Sequence, residues 1–395
     1  MNVQLFTKSQ NELKDLGAAI TTQEIIQQPG LWEEAWDNYQ DKKNAIDYFL
    51  QQIKKESSSK IRVVFTGAGT SAYVGDTVLP YLNNVGDTDS FIFESIPTTD
   101  LVSSPKDCLH ENDWTVLVSF ARSGNSPESV AAVANANKVV KNIRHITITC
   151  AADGALAKAA ATDKENLLLL MPEQSNDQGF AMTGSFTCMT LTALLVFDQS
   201  TVADKESYVM TAVKMGKEVV GNEGNLDKLV AVDFNRIVYL GSGSLAGLTR
   251  EAQLKVLELT AGKIATMFDS SMGFRHGPKS FVNEQTLVFV FVSNDPYTRK
   301  YDLDILEEIQ QDQIAMQTIA IAQPVEGQNF SGTTIDFDNQ HLLLPEAYLA
   351  LPFIMAAQTV SLLASIKVTN TPDTPSKSGT VNRVVKGVTI HEYKD

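Results

Sequence analysis

The sequence predicts an α/β protein built as two halves, each a mainly parallel sheet with helices on both faces, with a helical arm in front and a tail behind. Three observations lead there. From Ile61 onward, short runs rich in Val, Ile and Phe alternate with stretches of helical periodicity, the pattern of strand–helix–strand units. The alternation starts afresh near Arg236. Each start also closes its first strand with a glycine turn, Gly67-Ala68-Gly69 in one half and Gly241-Ser242-Gly243 in the other. A chain of 395 residues exceeds one ordinary core, in keeping with more than one domain. The boundaries fall at residues 1–45 (arm), 46–204 and 205–375 (the two halves) and 376–395 (tail).

Taken in order, the N-terminal region holds two helical segments. The second opens near Thr21-Thr22-Gln23-Glu24, a hydroxyl-then-acid start, and continues past Pro29. Trp32, Trp36, Tyr39 and Phe49 mark the faces that dock this arm. In the first half the strands are IRVVFTG, SFIFES, TVLVSF, HITITC and LLLLMP, with a helix over about 183–197. A helical stretch over about 206–229 leads to the second half, whose strands are RIVYLGS, KIATMFD, TLVFVFVS, AMQTIAI and HLLLP. Its helices run from about 249, over about 301–310 and over about 351–365.

Composition narrows the function. A net charge of −15 argues against nucleic acid as a partner, because phosphate backbones require basic surface. Cys108, Cys150 and Cys188 are far apart in apolar stretches, so neither a disulfide framework nor a metal cluster is expected. The N-terminus has no export signal, and no stretch is read as a membrane span. A cytoplasmic protein with no cofactor and no membrane partner is the resulting expectation.

The chemistry concentrates in Ser119-Phe120-Ala121-Arg122-Ser123-Gly124-Asn125-Ser126, between an apolar strand and an alanine-rich helix. Helix-start N–H groups are unpaired, Gly124 lets the backbone approach an anion, and Ser123 and Ser126 add hydroxyls, so the turn suits a phosphomonoester. Gly69, Thr70 and Ser71 converge with it, since ligands of open α/β sheets bind at the strands' carboxyl ends. The GxG turns imitate a dinucleotide fingerprint, but Ala72 stands where its third glycine belongs. The second half has VSNDPYTRK in place of the serine–glycine turn, and its Asp295 disfavours phosphate, so one phosphate site per chain is expected.

These motifs, together with GLTREAQLKVLELTAG, FRHGPKSF and VNRVVKGVTIHEY, resemble the double SIS (sugar isomerase) domain proteins that bind phosphosugars, over roughly residues 45–390. Within them, the AgaS-type galactosamine-6-phosphate deaminase/isomerases, also called tagatose-6-phosphate ketose/aldose isomerases, are most similar. The resemblance implies two flavodoxin-like three-layer domains and conversion of D-galactosamine 6-phosphate to D-tagatose 6-phosphate and ammonia. It also implies a homodimer or higher oligomer with shared active sites. By comparison with the isomerase half of glucosamine-6-phosphate synthase, Ser71, Ser123 and Ser126 match phosphate-binding hydroxyls. Glu258 matches the proton-transferring glutamate, His276 the ring-opening histidine that reaches the neighbouring subunit, and Lys386 the lysine of a tail folded over the pocket. Ala121 departs from the family's serine; Ser119 and Arg122 are candidates to replace what it lacks, and Thr183 is a candidate in a sugar-lining turn.

The residue types suit the chemistry. Aldose–ketose interconversion opens the ring, moves a proton between carbons 1 and 2, and stabilises enediolate charge. Glu258, among Leu254, Val256, Leu257 and Leu259, is expected in an apolar setting that suits a proton carrier. A loop histidine at 276 suits ring opening, and a tail ammonium at Lys386 suits developing oxyanion charge. The alternatives are isomerisation of tagatose 6-phosphate without ammonia release and a non-catalytic phosphosugar-binding regulator; no basic recognition helix supports the latter.

Overall fold

The computed structural model describes residues 4–383 and 387–394. Among the described residues the N-terminal region holds three α-helices where two helical segments are expected. α1 (Gln10–Leu16) opens with a capping box between Ser9 and Glu12. α2 (Ala19–Ile26) starts ahead of Thr21, because Asp373 accepts from the N–H groups of Ile20 and Thr21 at 3.0 and 2.8 Å. Its cap therefore comes from the far end of the chain. α3 (Gln28–Glu56) takes Pro29 into its first turn, where the missing N–H has no intrahelical partner to lose.

The first sheet is built from β1 (Ile61–Thr66), β2 (Phe91–Ser95), β3 (Trp114–Ala121), β4 (Asn142–Thr149) and β5 (Asn166–Leu170). Its helices are α4 (Thr70–Val85), α5 (Thr98–Ser103), α6 (Pro105–Cys108), α7 (Pro127–Val139), α8 (Ala155–Thr162) and α9 (Gly184–Phe197). After α10 (Val202–Gly221) and α11 (Glu223–Val230), the second sheet follows: β6 (Arg236–Gly241), β7 (Ala265–Ser270), β8 (Thr286–Phe291), β9 (Gln317–Ala322) and β10 (Thr333–Asp336). Its helices are α12 (Ser244–Leu259), α13 (Thr298–Asp312) and α14 (Glu346–Lys367).

The sheets run β2-β1-β3-β4-β5 and β7-β6-β8-β9-β10, all pairs parallel, so the two halves share one winding. In each, the chain leaves the first and third strands in opposite directions. That reversal opens a crevice at the carboxyl ends of β1 and β3, and likewise of β6 and β8. α4 packs on α9 and α5 on α7, while α12 packs on α14. Phe65, Phe93, Phe120 and Phe197 stack or meet edge-on beneath the first sheet. Each contributes about 1.5–3 kcal/mol by burial, which holds the strand ends in register.

Four expectations need correction. The fifth strand of the second sheet is β10, whereas His341–Pro345 is irregular, with Leu342 and Leu343 each 47% exposed. α12 begins at Ser244 instead of about 249, because Gly243 caps it directly. The stretch over 206–229 is two helices divided at Asn222. And α14 is long and apolar enough to cross a membrane, yet 94% of its apolar window is buried inside the protein, as a core helix would be.

Contacts divide the chain into two compact units, each assembled from separated segments. One comprises Leu31–Asp177, Gly184–Val202 and Val381–Asp395; the other comprises Met1–Gly30, Gln178–Thr183 and Ala203–Thr380. Trp32, Trp36 and Tyr39 of the arm are buried in the first of these, with the Trp32 indole donating to Thr187 at 2.9 Å.

Candidate active site

In the first unit the crevice is walled by two turns. Gly67 has no room for a side chain, since a Cβ would stand 2.4 Å from the Ser71 carbonyl carbon. Gly69, at φ +57°, then caps α4, placing Thr70 and Ser71, both buried, in the helix's first turn. On the adjacent strand, β3 ends at Ala121 and Gly124 turns the chain at φ +63°, a left-handed conformation that favours glycine. The carbonyls of Ala121, Arg122 and Gly124 accept from Cys150, Ala151 and Leu156, so the turn's acceptors face the β4–α8 connection. Asn125 accepts from the Ala155 N–H at 2.9 Å. Ser126 caps α7, accepting from Ser129 N–H at 3.2 Å.

The proposed phosphate ligands separate accordingly. Ser123 and Ser126 stand in the turn, and Thr70 and Ser71 in the first turn of the neighbouring helix. Ser119 is buried inside β3, beside Thr66 and Thr147 and two residues before the strand ends, roughly 7 Å back along it. Arg122 is 7% exposed and donates to the carbonyl of Arg383 at 2.7 Å.

The second unit repeats the frame and fills the crevice itself. Gly243, again at positive φ (+54°), caps α12. Asp302, fully buried, accepts from the Ser242 and Ser271 hydroxyls at 2.6 and 2.5 Å and from Ser293 N–H at 3.0 Å. Ser293 also donates to Glu346, whose other carboxylate oxygen is 2.9 Å from where a Gly243 Cβ would stand. Burial raises both acids above the ordinary carboxylate range. Asp295 accepts from Thr298 and Tyr297 N–H at 2.8 and 3.1 Å, and these bonds, Thr298 first, hold it below that range.

Glu258 lies in the last turn of α12, with its side chain 23% exposed. The apolar setting expected for it is not what surrounds it: Leu257 is 41% exposed, and Lys255, fully buried, places its ammonium 2.7 Å from Glu258 and 3.2 Å from the buried Glu251. Burial pulls Lys255 toward neutrality, but the two carboxylates outweigh it and raise its pKa. Sequence reasoning missed Lys255 and Glu251. The signal was present, because Glu-x-x-x-Lys-x-x-Glu places all three on one helical face.

His276 follows the short helical turn Gly273–Arg275 and is exposed, its N–H donating to the Gly273 carbonyl. Its loop is fixed on both sides. Arg275 pairs with Glu308 at 2.7 Å, and Lys279 pairs with Glu308 and Asp312 at 2.5 Å each. Thr183 is fully buried just ahead of α9. The stretch before it is tied down by Glu24, which accepts from Gly179 N–H at 3.0 Å. Lys386 lies outside the described residues. Among the described residues, no cluster of three or more His, Cys, Asp or Glu side chains is placed to hold a metal ion.

The chain matches the SIS domain model over residues 57–197. D-galactosamine-6-phosphate deaminase AgaS of Escherichia coli is 44% identical over 389 residues, covering 95% of this chain and 96% of that protein. The protein of the same name from Shewanella sp. (strain ANA-3) is 36% identical, covering 98% and 95%. Among solved structures, tagatose-6-phosphate ketose/aldose isomerase from Escherichia coli aligns with a TM-score of 0.85 at 41% identity, covering 95% of this chain and 97% of that one.

Proposed function

The chain belongs to the AgaS branch of the SIS-domain family, and on that premise we propose that it converts D-galactosamine 6-phosphate to D-tagatose 6-phosphate and ammonia. The observation that carries this is a division of labour. One sheet presents a Ser/Gly turn suited to a phosphomonoester, while the other closes its turn with Glu346 and offers Glu258 beside a buried ammonium.

Ser71, Ser123 and Ser126, with the Gly124 backbone, hold the phosphate. His276 relays the proton between ring oxygen and anomeric hydroxyl as the ring opens. Glu258 takes the proton from carbon 2, leaving an enaminol, and returns it to carbon 1; the resulting carbon-2 ketimine takes up water and releases ammonia, leaving the ketose. Lys255 keeps the neighbouring negative charge compensated throughout. No cofactor enters this scheme.

We further propose that the enzyme works in the cytoplasm, where sugar phosphates are confined, as a homodimer or higher oligomer. His276 is exposed, and Leu257, Phe268 and Met272 of the same unit are 39–46% exposed, an apolar supply for a subunit contact.

Incubation of the purified protein with galactosamine 6-phosphate tests the reading. Ammonia and tagatose 6-phosphate should appear in equal amounts. Isomerisation of tagatose 6-phosphate with no ammonia would leave a ketose/aldose isomerase, and tight binding without turnover would leave a regulator.

A further inference from the structure

Arg122 has the position of a phosphate ligand but a different engagement. It is buried at the foot of the turn, and its Nη2 donates to the main-chain carbonyl of Arg383 at 2.7 Å. The Arg383 guanidinium in turn donates from Nε to the Asp177 carbonyl at 3.0 Å, with Nη2 directed at the same oxygen. Asp177 is itself tied to the next helix: its carboxylate accepts from the N–H groups of Gly184 and Ser185 at 3.1 and 2.9 Å and from the Ser185 hydroxyl, at the start of the wholly buried α9. A second contact lies further along the tail. Lys138, in the last turn of α7, donates to the Tyr393 carbonyl at 2.5 Å and lies over that ring. The tail is thus tied at Arg122, just before the turn, and at Lys138, at the far end of the helix that the turn begins.

We propose that Arg122 and Arg383 form a clamp that seats the C-terminal tail on the phosphate turn, which makes both of them positioning residues and not ligands of the sugar phosphate. The inference rests on the assignment of that turn as the phosphate site. Charge-assisted bonds to carbonyls are strong enough to order a segment of otherwise irregular chain, and the two form a series: freeing either end releases Arg383.

The test uses the full-length chain and the variants Arg122→Ala, Arg122→Lys, Arg383→Ala and the double alanine variant. Each single alanine should lower kcat by about tenfold to a hundredfold, the range of a hydrogen bond to a charged group. The double variant should be no worse than either single, because both remove one connection. Inorganic phosphate, titrated calorimetrically, should bind all of them as it binds the parent. Tryptic cleavage after Arg383 should accelerate in Arg122→Ala and return toward the parent rate in Arg122→Lys, which still offers one donor. Cleavage unchanged in Arg122→Ala overturns the clamp. So does phosphate affinity lost in Arg122→Ala and kept in Arg383→Ala, which would make Arg122 a ligand. Cleavage and phosphate binding are read without turnover, so a protein that releases no ammonia still decides the question.

Discussion

Ser126 and Asp295 hold the same place in the two halves. Each follows a central strand, precedes a proline, and accepts an N–H three residues on: Ser126, the N-cap of α7, from Ser129 at 3.2 Å, and Asp295 from Thr298, the first residue of α13, at 2.8 Å. As acceptors of that N–H the two side chains are interchangeable. Toward an anion they are opposites, because a hydroxyl can turn and donate whereas an ionised carboxylate only accepts and repels. The second half completes the contrast by laying Glu346 over its glycine turn and Asp302 among its strand-end hydroxyls. The frame is the same in both halves and the charge at this position is not, which under the proposed function leaves one copy to anchor phosphate and the other to carry Glu258 and His276.

Three experiments press on that contrast. The largest effect is expected from Glu258→Gln, which should lower kcat by about 10²–10⁴-fold while phosphosugar binding stays within several-fold. Equal loss of binding, measured by calorimetry, would show that the halves do not divide the work. Next, Ser126→Asp gives the first half the acceptor that the second half has at Asp295. Melting temperature should barely move, whereas inorganic phosphate affinity should fall by about a hundredfold, since a like charge set against an anion costs several kcal/mol; affinity equal to the parent's would remove the turn from phosphate binding.

The smallest effect concerns pH. Glu346 and Asp302 have folded-state pKa values raised by burial, so between the ordinary carboxylate value and the raised one the folded chain binds more protons than the unfolded chain. Their contribution to stability is greatest below that window and is lost as pH rises through the folded values. Glu346→Gln should flatten this slope in melting temperature and cost nothing at neutral pH. A slope identical to the parent's would mean that the Glu346 carboxylate is not what closes the second crevice.

Much of this frame was legible before any coordinates. Paired glycine turns and runs such as VVF and FVF are local signals, and Gly67, Gly69, Gly124, Gly241 and Gly243 stand where close approach or positive φ requires them. What escaped was non-local. α2 is capped by Asp373, which no window around Thr21 contains. β10 is a short, largely polar edge strand, while the apolar run at Leu342 and Leu343 is left partly exposed, so hydrophobicity pointed to the wrong segment. Lys255 was overlooked because a lysine on a helix is usually solvated, and only the burial of Glu251 beside it reveals an ammonium held inside. Arg122 was assigned by its chemical type, yet its bond to Arg383 depends on a residue more than two hundred positions away.

The threading of the chain bears on how the molecule is made. Because residues 1–30 join a unit otherwise formed by 178–183 and 203–380, α1 and α2 cannot complete their packing until those later segments have been made. Asp373 reaches the start of α2 only after the roughly 350 residues between them have been synthesised, on the order of tens of seconds later. Nor is the first sheet's unit finished at its last helix, since Arg383 and Tyr393 still have to arrive. The nascent protein must therefore keep an apolar arm in waiting, and removing residues 1–30 takes a part from one unit while removing residues 381–395 takes a part from the other.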